Sequence, residues 1–154
     1  MMKEENVILL VEDCAEDASL ALHAFRKWGI PNPIRVVPDG EQAVAYLAGT
    51  GKYADREQNP LPYLALLDLK LPQMPGLEVL QWIRARRELD NLPVIVLSGM
   101  RNPENFEEAQ RLGANGCVNK SNDLNELYDL IQHLNYFSAA SEFNNSAMEF
   151  FPES

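Results

Sequence analysis

Hydrophobic positions in this chain come in unbroken runs rather than in alternation. Val7-Ile8-Leu9-Leu10-Val11, Tyr63-Leu64-Ala65-Leu66-Leu67 and Pro93-Val94-Ile95-Val96-Leu97 are apolar throughout, the pattern of strands buried on both faces of a parallel sheet. Ile34-Arg35-Val36-Val37 and Gly116-Cys117-Val118 read as shorter strands. Between the runs, apolar residues recur at helical spacing. Leu20, Ala21, Ala24 and Phe25 form one such face leading to Trp28, and Gly29 and Pro31 stop that helix. Ala43, Val44, Tyr46 and Leu47 form a second, with Asp39 placed to cap its start and Gly49 its end. Leu77, Leu80 and Ile83 face inward from a helix beginning near Gly76, with Trp82 beside that face. Asn102-Pro103 and Gly113 bracket a fourth helix. Leu124, Leu127, Leu130, Ile131 and Leu134 mark the last, which begins near Ser121 or Asn122.

The order is therefore βαβαβαβαβα. Crossovers between parallel strands are right-handed, which favours an α/β, doubly wound parallel sheet of five strands with helices on both faces. Residues 1–135 read as one domain, and 136–154 as a tail in which the pattern dissolves into Ser, Ala and Asn with scattered aromatics. The polar stretch from Gly49 to Pro62 contains Gly-Thr-Gly-Lys, but Tyr46 stands where a phosphate-binding P-loop needs its first glycine. It reads as a surface loop.

Composition narrows the function classes. With 46% hydrophobic and 23% charged residues the chain is of the globular kind, and a net charge of −10 argues against non-specific nucleic-acid binding. No apolar run approaches a membrane span and no signal-peptide core precedes the first strand. Cys14 and Cys117 lack metal-ligand spacing, so reduced thiols in a cytoplasm are expected.

The chemistry lies where the strands end. In a parallel sheet all carboxyl ends share one edge, the usual location of ligand sites in open α/β folds. There the sequence places Glu12-Asp13, Asp68, Ser98 and Lys120, after four different strands. Asp68 alone is equally well a capping aspartate before the Leu69-Lys70-Leu71-Pro72 turn. Three carboxylates together, however, raise one another's pKa values unless a cation sits among them. Hard oxygen donors without Cys or His suit Mg²⁺, and a lysine and a hydroxyl beside it suit a tetrahedral anion. Phosphoryl transfer is the chemistry that fits.

Over about Val7 to Leu134, the chain resembles the receiver domains of two-component response regulators. The resemblance rests on the acid pair, on Asp68 followed by Leu-Lys-Leu-Pro and a later Gly76, and on Ser98 and Lys120 at successive strand ends. It implies a flavodoxin-like sheet in the order 2-1-3-4-5. It implies that Asp68 accepts a phosphoryl group from a sensor histidine kinase, and that Asp13, Asp68 and the Lys70 backbone carbonyl bind Mg²⁺, with Glu12 acting through a water. Lys120 would pair with the acyl phosphate, and Ser98 would hydrogen-bond it and move toward it. Such a protein is a signalling phospho-acceptor rather than an enzyme acting on a separate substrate. Asp17 lies outside that set and reads as a helix cap. Removing Lys120 is expected to leave folding largely intact, its partner carboxylates staying near solvent and metal.

Two positions depart from the family. Ser121 follows the lysine where Pro is usual, with a cis bond, and Cys117 stands where a Tyr or Phe commonly serves as a rotamer switch. The Glu-Asp pair, the long loop before the third strand and Lys-Ser in place of Lys-Pro resemble the single-domain response regulators of bacterial and cyanobacterial phytochromes. Output would then be contact with a downstream protein. In the tail, Tyr136, Phe137, Phe143, Met148, Phe150 and Phe151 point to a homodimer in which that segment takes part. A non-phosphorylated pseudo-receiver is the alternative; it would lack one of the acids or the lysine. A Mg²⁺-dependent phosphatase would place a second Asp at position 70, where Lys70 stands, and a flavodoxin would not put acids after its first strand. His23 and His133 read as surface or packing residues, and Trp28 and Trp82 as edges of the core.

Overall fold

The apolar runs pair side by side. In the computed structural model, which describes residues 6–99, 103–120 and 124–140, β1 (Ile8–Val11), β2 (Ile34–Val37), β3 (Leu64–Asp68), β4 (Val94–Ser98) and β5 (Gly116–Asn119) form one sheet in the order 2-1-3-4-5. All four pairings are parallel. The helices are α1 (Ala15–Lys27), α2 (Gly40–Ala48), α3 (Gly76–Arg84), α4 (Pro103–Arg111) and α5 (Asn125–Ala140). This is the doubly wound parallel sheet expected from the alternation, in the flavodoxin-like order that the resemblance implied.

Because successive strand residues point to opposite faces, each strand feeds two cores. Leu9, Val11, Ala65, Leu67, Val94 and Val96 pack under α2 and α3 against Tyr46, Leu80 and Ile83. Ile8, Leu10, Leu66, Ile95 and Leu97 pack under α1 and α5 against Phe25, Leu127 and Leu130. Asp39 caps α2 as its position suggested, accepting the Gln42 N–H at 2.7 Å. Gly49 and Gly113 end α2 and α4 with positive φ of 71° and 104°.

One local reading needs correction, and two others gain detail. Leu20 is 63% exposed rather than part of the α1 core face. The buried set is Ala18, Ala21 and Phe25, and at about 100° per residue Leu20 falls on the far side of it. The stretch from Gly49 to Pro62 holds a 3-10 turn, Gly51–Tyr53, and is tied down. The Arg56 guanidinium donates to the carbonyls of Tyr46, Leu47 and Asn59, and the Tyr46 hydroxyl donates to Pro60 O. Those first two carbonyls belong to the last turn of α2, where acceptors lack their regular helical donors; Tyr46 O also accepts the Gly49 N–H at 3.2 Å, and a loop arginine finishes the helix. Finally, α5 runs to Ala140, past the boundary at 135, through residues that contain neither Gly nor Pro. Of the 136–154 tail read as a dimerisation arm, residues 141–154 lie outside the described residues.

A second arginine anchors the opposite end of the sheet from the strand carboxyl ends. Arg84 donates to the carbonyls of Gly113, Leu89 and Leu92 and to Asn115 Oδ1, at 2.8–3.0 Å. Burial holds its guanidinium below the usual arginine range, and no carboxylate hydrogen-bonds it among these contacts. At the sheet margin, β2 is flanked by Pro33 and Pro38, with Val36 40% exposed. No helix among the described residues is long and apolar enough to cross a membrane.

Candidate functional site

The strand register gathers the chemically distinctive residues. Asp68 lies level with Leu97, and Ser98 with Asn119, so the carboxyl ends of β3, β4 and β5 finish together. Glu12 and Asp13 leave β1 on the same edge, and Lys120 leaves β5. Lys120 Nζ donates to Glu12 Oε1 at 2.7 Å and to Asp68 Oδ2 at 3.2 Å. Glu12 and Asp68 are 3% and 4% exposed, Ser98 is buried, and Asp13 is open to solvent. The expectation that the acid partners of Lys120 stay near solvent is therefore wrong for Glu12 and Asp68. Both sit at the ends of strands buried on two faces, and the cores on either side close over them.

Backbone donors orient the acids. The Lys70 N–H donates to Asp68 Oδ1 at 3.0 Å, and the Cys14 N–H donates to Glu12 Oε2 at 3.3 Å. The turn after Asp68 depends on Gly76. Its N–H returns to Leu69 O at 3.1 Å, and a Cβ there would lie 2.3 Å from the Asp68 carbonyl oxygen. Gln73, with φ of 67°, completes the loop.

Glu12, Asp13 and Asp68 each offer a carboxylate oxygen within 4.8 Å of the others. An all-oxygen donor set with one solvent-facing member fits a hard divalent cation that retains waters. Without a cation, burial first and the Asp68 hydrogen bond next push the Glu12 carboxyl up to about 7, although Lys120 pulls the other way. Burial also works against the Lys120 ammonium. The hydrogen bonds to Asp17 and Glu12 and the charges of Asp68 and Glu12 outweigh it, and Lys120 sits above the usual lysine range. The ammonium stays charged there without fully offsetting the burial of Glu12.

A pH dependence follows. A carboxyl whose folded pKa is raised stabilises the fold below its unfolded value and loses that contribution as pH rises through the folded value. The metal-free protein is expected to lose a few kcal/mol at most from this group between pH of about 4.5 and about 7. Denaturant melts of wild type and Glu12→Gln across that window check it. The variant is expected to show a flatter profile, and equal slopes would refute the assignment.

The residue that the sequence reading misplaced is Asp17. The α1 N-cap is Cys14, and no side chain caps the helix there. Asp17 instead pairs with Lys120, Oδ2 to Nζ at 2.7 Å. The signal was its place as third residue of the helix, from which a side chain reaches back toward the helix start, here the acid pair. Cys117 is fully buried among the α4-side core residues, its Sγ 4.0 Å from Phe106 O, and burial pushes its thiol up to about 12. Ser121 and its peptide bond to Lys120 lie outside the described residues. His23 is exposed and His133 half-buried. Trp28 packs on Phe25 and Tyr128, and Trp82 carries Arg86 4.6 Å above its ring.

Comparison with known proteins agrees with this geometry. The family model described as "Response regulator receiver domain" matches residues 8–132. The response regulator Rcp1 of Synechocystis is 35% identical over 131 residues, 85% of this chain and 87% of that protein. A solved structure of the Mn²⁺-bound form of Rcp1 has a TM-score of 0.71 at 34% identity, covering 90% of this chain and 96% of that one. The bacteriophytochrome response regulator AtBRR has a TM-score of 0.75 at 38% identity, over 84% of this chain and 92% of that one. The phosphorylated cyanobacterial phytochrome response regulator RcpA has a TM-score of 0.74 at 34% identity, over 89% and 96%.

Proposed function

The chain belongs to the response regulator receiver family, and from that premise we propose that it accepts a phosphoryl group on Asp68 from the phosphohistidine of a sensor histidine kinase, in two-component signalling. The observation that carries this reading is the meeting of Asp68, Glu12 and Lys120 at one buried strand edge, with Lys120 within 3.2 Å of both acids. In the step itself an Asp68 carboxylate oxygen attacks phosphorus as the phosphorus–nitrogen bond breaks. The electron pair of that bond leaves with the imidazole, which takes up a proton. Lys70 N–H holds the other Asp68 oxygen, Oδ1. Lys120 stands ready to neutralise the charge gained, and Ser98 at the end of β4 supplies a hydroxyl for a phosphoryl oxygen.

Asp13, Asp68 and the Lys70 carbonyl are the residues we assign to Mg²⁺, with Glu12 acting through a water. When bound, the cation supplies charge neutralisation for the transferring group. Similarity to phytochrome response regulators makes a phytochrome the favoured kinase, in the cytoplasm. The output is contact with a downstream protein, and a homodimer would match a two-fold kinase. A pseudo-receiver that is never phosphorylated is disfavoured, since every acid and the lysine are present and adjacent.

The test is incubation with Mg²⁺ and acetyl phosphate, read by intact mass. Wild type is expected to gain one phosphoryl group and Asp68→Asn none. A wild type that stays unmodified, or a variant that gains the same mass, would overturn the assignment.

A further inference from the structure

Lys120 has three N–H donors, and three acids claim them: Glu12 at 2.7 Å, Asp17 at 2.7 Å and Asp68 at 3.2 Å. The longest contact is the one to the proposed acceptor. Asp17 differs in kind from the other two. It comes from the first turn of α1 rather than from a strand end, and its side chain is 38% exposed against 2% for Glu12 and 5% for Asp68. It also stands outside the group of carboxylates close enough to share a cation.

We propose that Asp17 is a positioning residue that holds the Lys120 ammonium in competition with Asp68, so that Lys120 leaves Asp17 and closes fully on the acceptor when Asp68 gains further negative charge. The inference rests on the receiver reading above. A cation among Glu12, Asp13 and Asp68 offsets the charge of those acids and leaves Asp17 as the anion with the strongest remaining claim on Lys120. An anionic group arriving on Asp68 reverses the balance. The Asp17–Lys120 pair is not locked in packed core, because both residues line a cleft of about 450 Å³ between α1 and α5, bordered by Leu20, His23 and Leu124. The cost of the detachment is that of a partly exposed ion pair, set against the gain from an added phosphate-like charge.

The test measures beryllofluoride binding to the full chain in saturating Mg²⁺, by titration of amide spectra. Asp17→Asn, nearly isosteric and on the surface of α1, is expected to bind the mimic about two- to fivefold more tightly than wild type, the range of a partly exposed pair. Asp17→Glu, which keeps the charge, is expected to return toward wild type. Glu16→Gln removes the same charge from the same turn on an exposed side chain, and is expected to leave the affinity unchanged. Unchanged or weaker binding by Asp17→Asn would overturn the proposal, as would an equal gain in Glu16→Gln, which would reduce the effect to net charge. Absence of any wild-type response would instead overturn the receiver reading, before any variant is compared.

Discussion

Replacing Gly76 with alanine is expected to destabilise the protein by about 3 kcal/mol or more, one of the largest losses available to a single methyl group. The cause is not conformational freedom, since Gly76 is absent from the residues with positive φ. It is close approach. The added carbon would meet the Asp68 carbonyl oxygen at 2.3 Å and the Leu69 Cα at 2.8 Å, both of them backbone atoms with no side-chain rotation to relieve the clash. Either α3 withdraws from the end of β3 or the loop carrying Asp68 shifts. The same substitution should therefore weaken acceptance at Asp68 even under conditions where the chain stays folded. Denaturant melts with and without Mg²⁺ measure the first effect, and the rate of modification by acetyl phosphate the second. A Gly76→Ala protein within 1 kcal/mol of wild type would mean that the turn has slack that these contacts do not show.

Removing Lys120 comes next in size. With the lysine gone, Glu12 and Asp68 are left as buried neighbouring carboxylates, and breaking such a pairing from one side costs about 3 kcal/mol. The loss in Lys120→Ala should depend on pH and metal in a definite direction. Lys120 is what draws the Glu12 carboxyl downward, so in the variant it titrates above about 7. At pH 5 Glu12 then carries a proton in the fold and the penalty shrinks, and it grows as pH rises through 7.5 toward the raised folded value. Millimolar Mg²⁺ should restore much of the stability at pH 7.5, because a cation among the acids does part of the work of the ammonium. It should not restore the spectral response to beryllofluoride. Equal stability of variant and wild type at pH 7.5 without metal would contradict the burial argument. A full beryllofluoride response would contradict the role given to the lysine.

The strands could be read from the chain because both faces of a parallel sheet are buried, which leaves a mark along β1, β3 and β4, while their order across the sheet was implied by the resemblance to receiver domains. Once the topology is known, the carboxyl ends have no choice of edge, and so the acids, Ser98 and Lys120 were placed together from sequence alone. What escaped depends on phase or on distant contacts. Leu20 looked like core because its spacing to Ala24 is helical, but the buried face is centred on Ala18, Ala21 and Phe25 and leaves that pair at or beyond its margin. Asp17 looked like a cap because acids favour first turns, and only the position of Lys120, far away in sequence, gives it a different partner. Arg56 and Arg84 are unremarkable as letters. Their roles exist only where α2 runs out of donors, or where the carbonyls of Leu89, Leu92 and Gly113 converge, and no local pattern encodes either meeting.

The prolines on either side of β2 also bear on how the protein behaves in company. An edge strand presents unpaired amide and carbonyl groups to any other extended chain, and a row of them invites sheet-to-sheet growth. Here the exposed edge is only Ile34–Val37 long, and it begins after Pro33 and stops at Pro38, neither of which can donate a hydrogen bond. Arg35, held by Gln58 O and Asn59 Oδ1, adds a charge at the middle of the strand. The β2 edge is thus cut short by its own sequence, which leaves another extended chain little to pair with there.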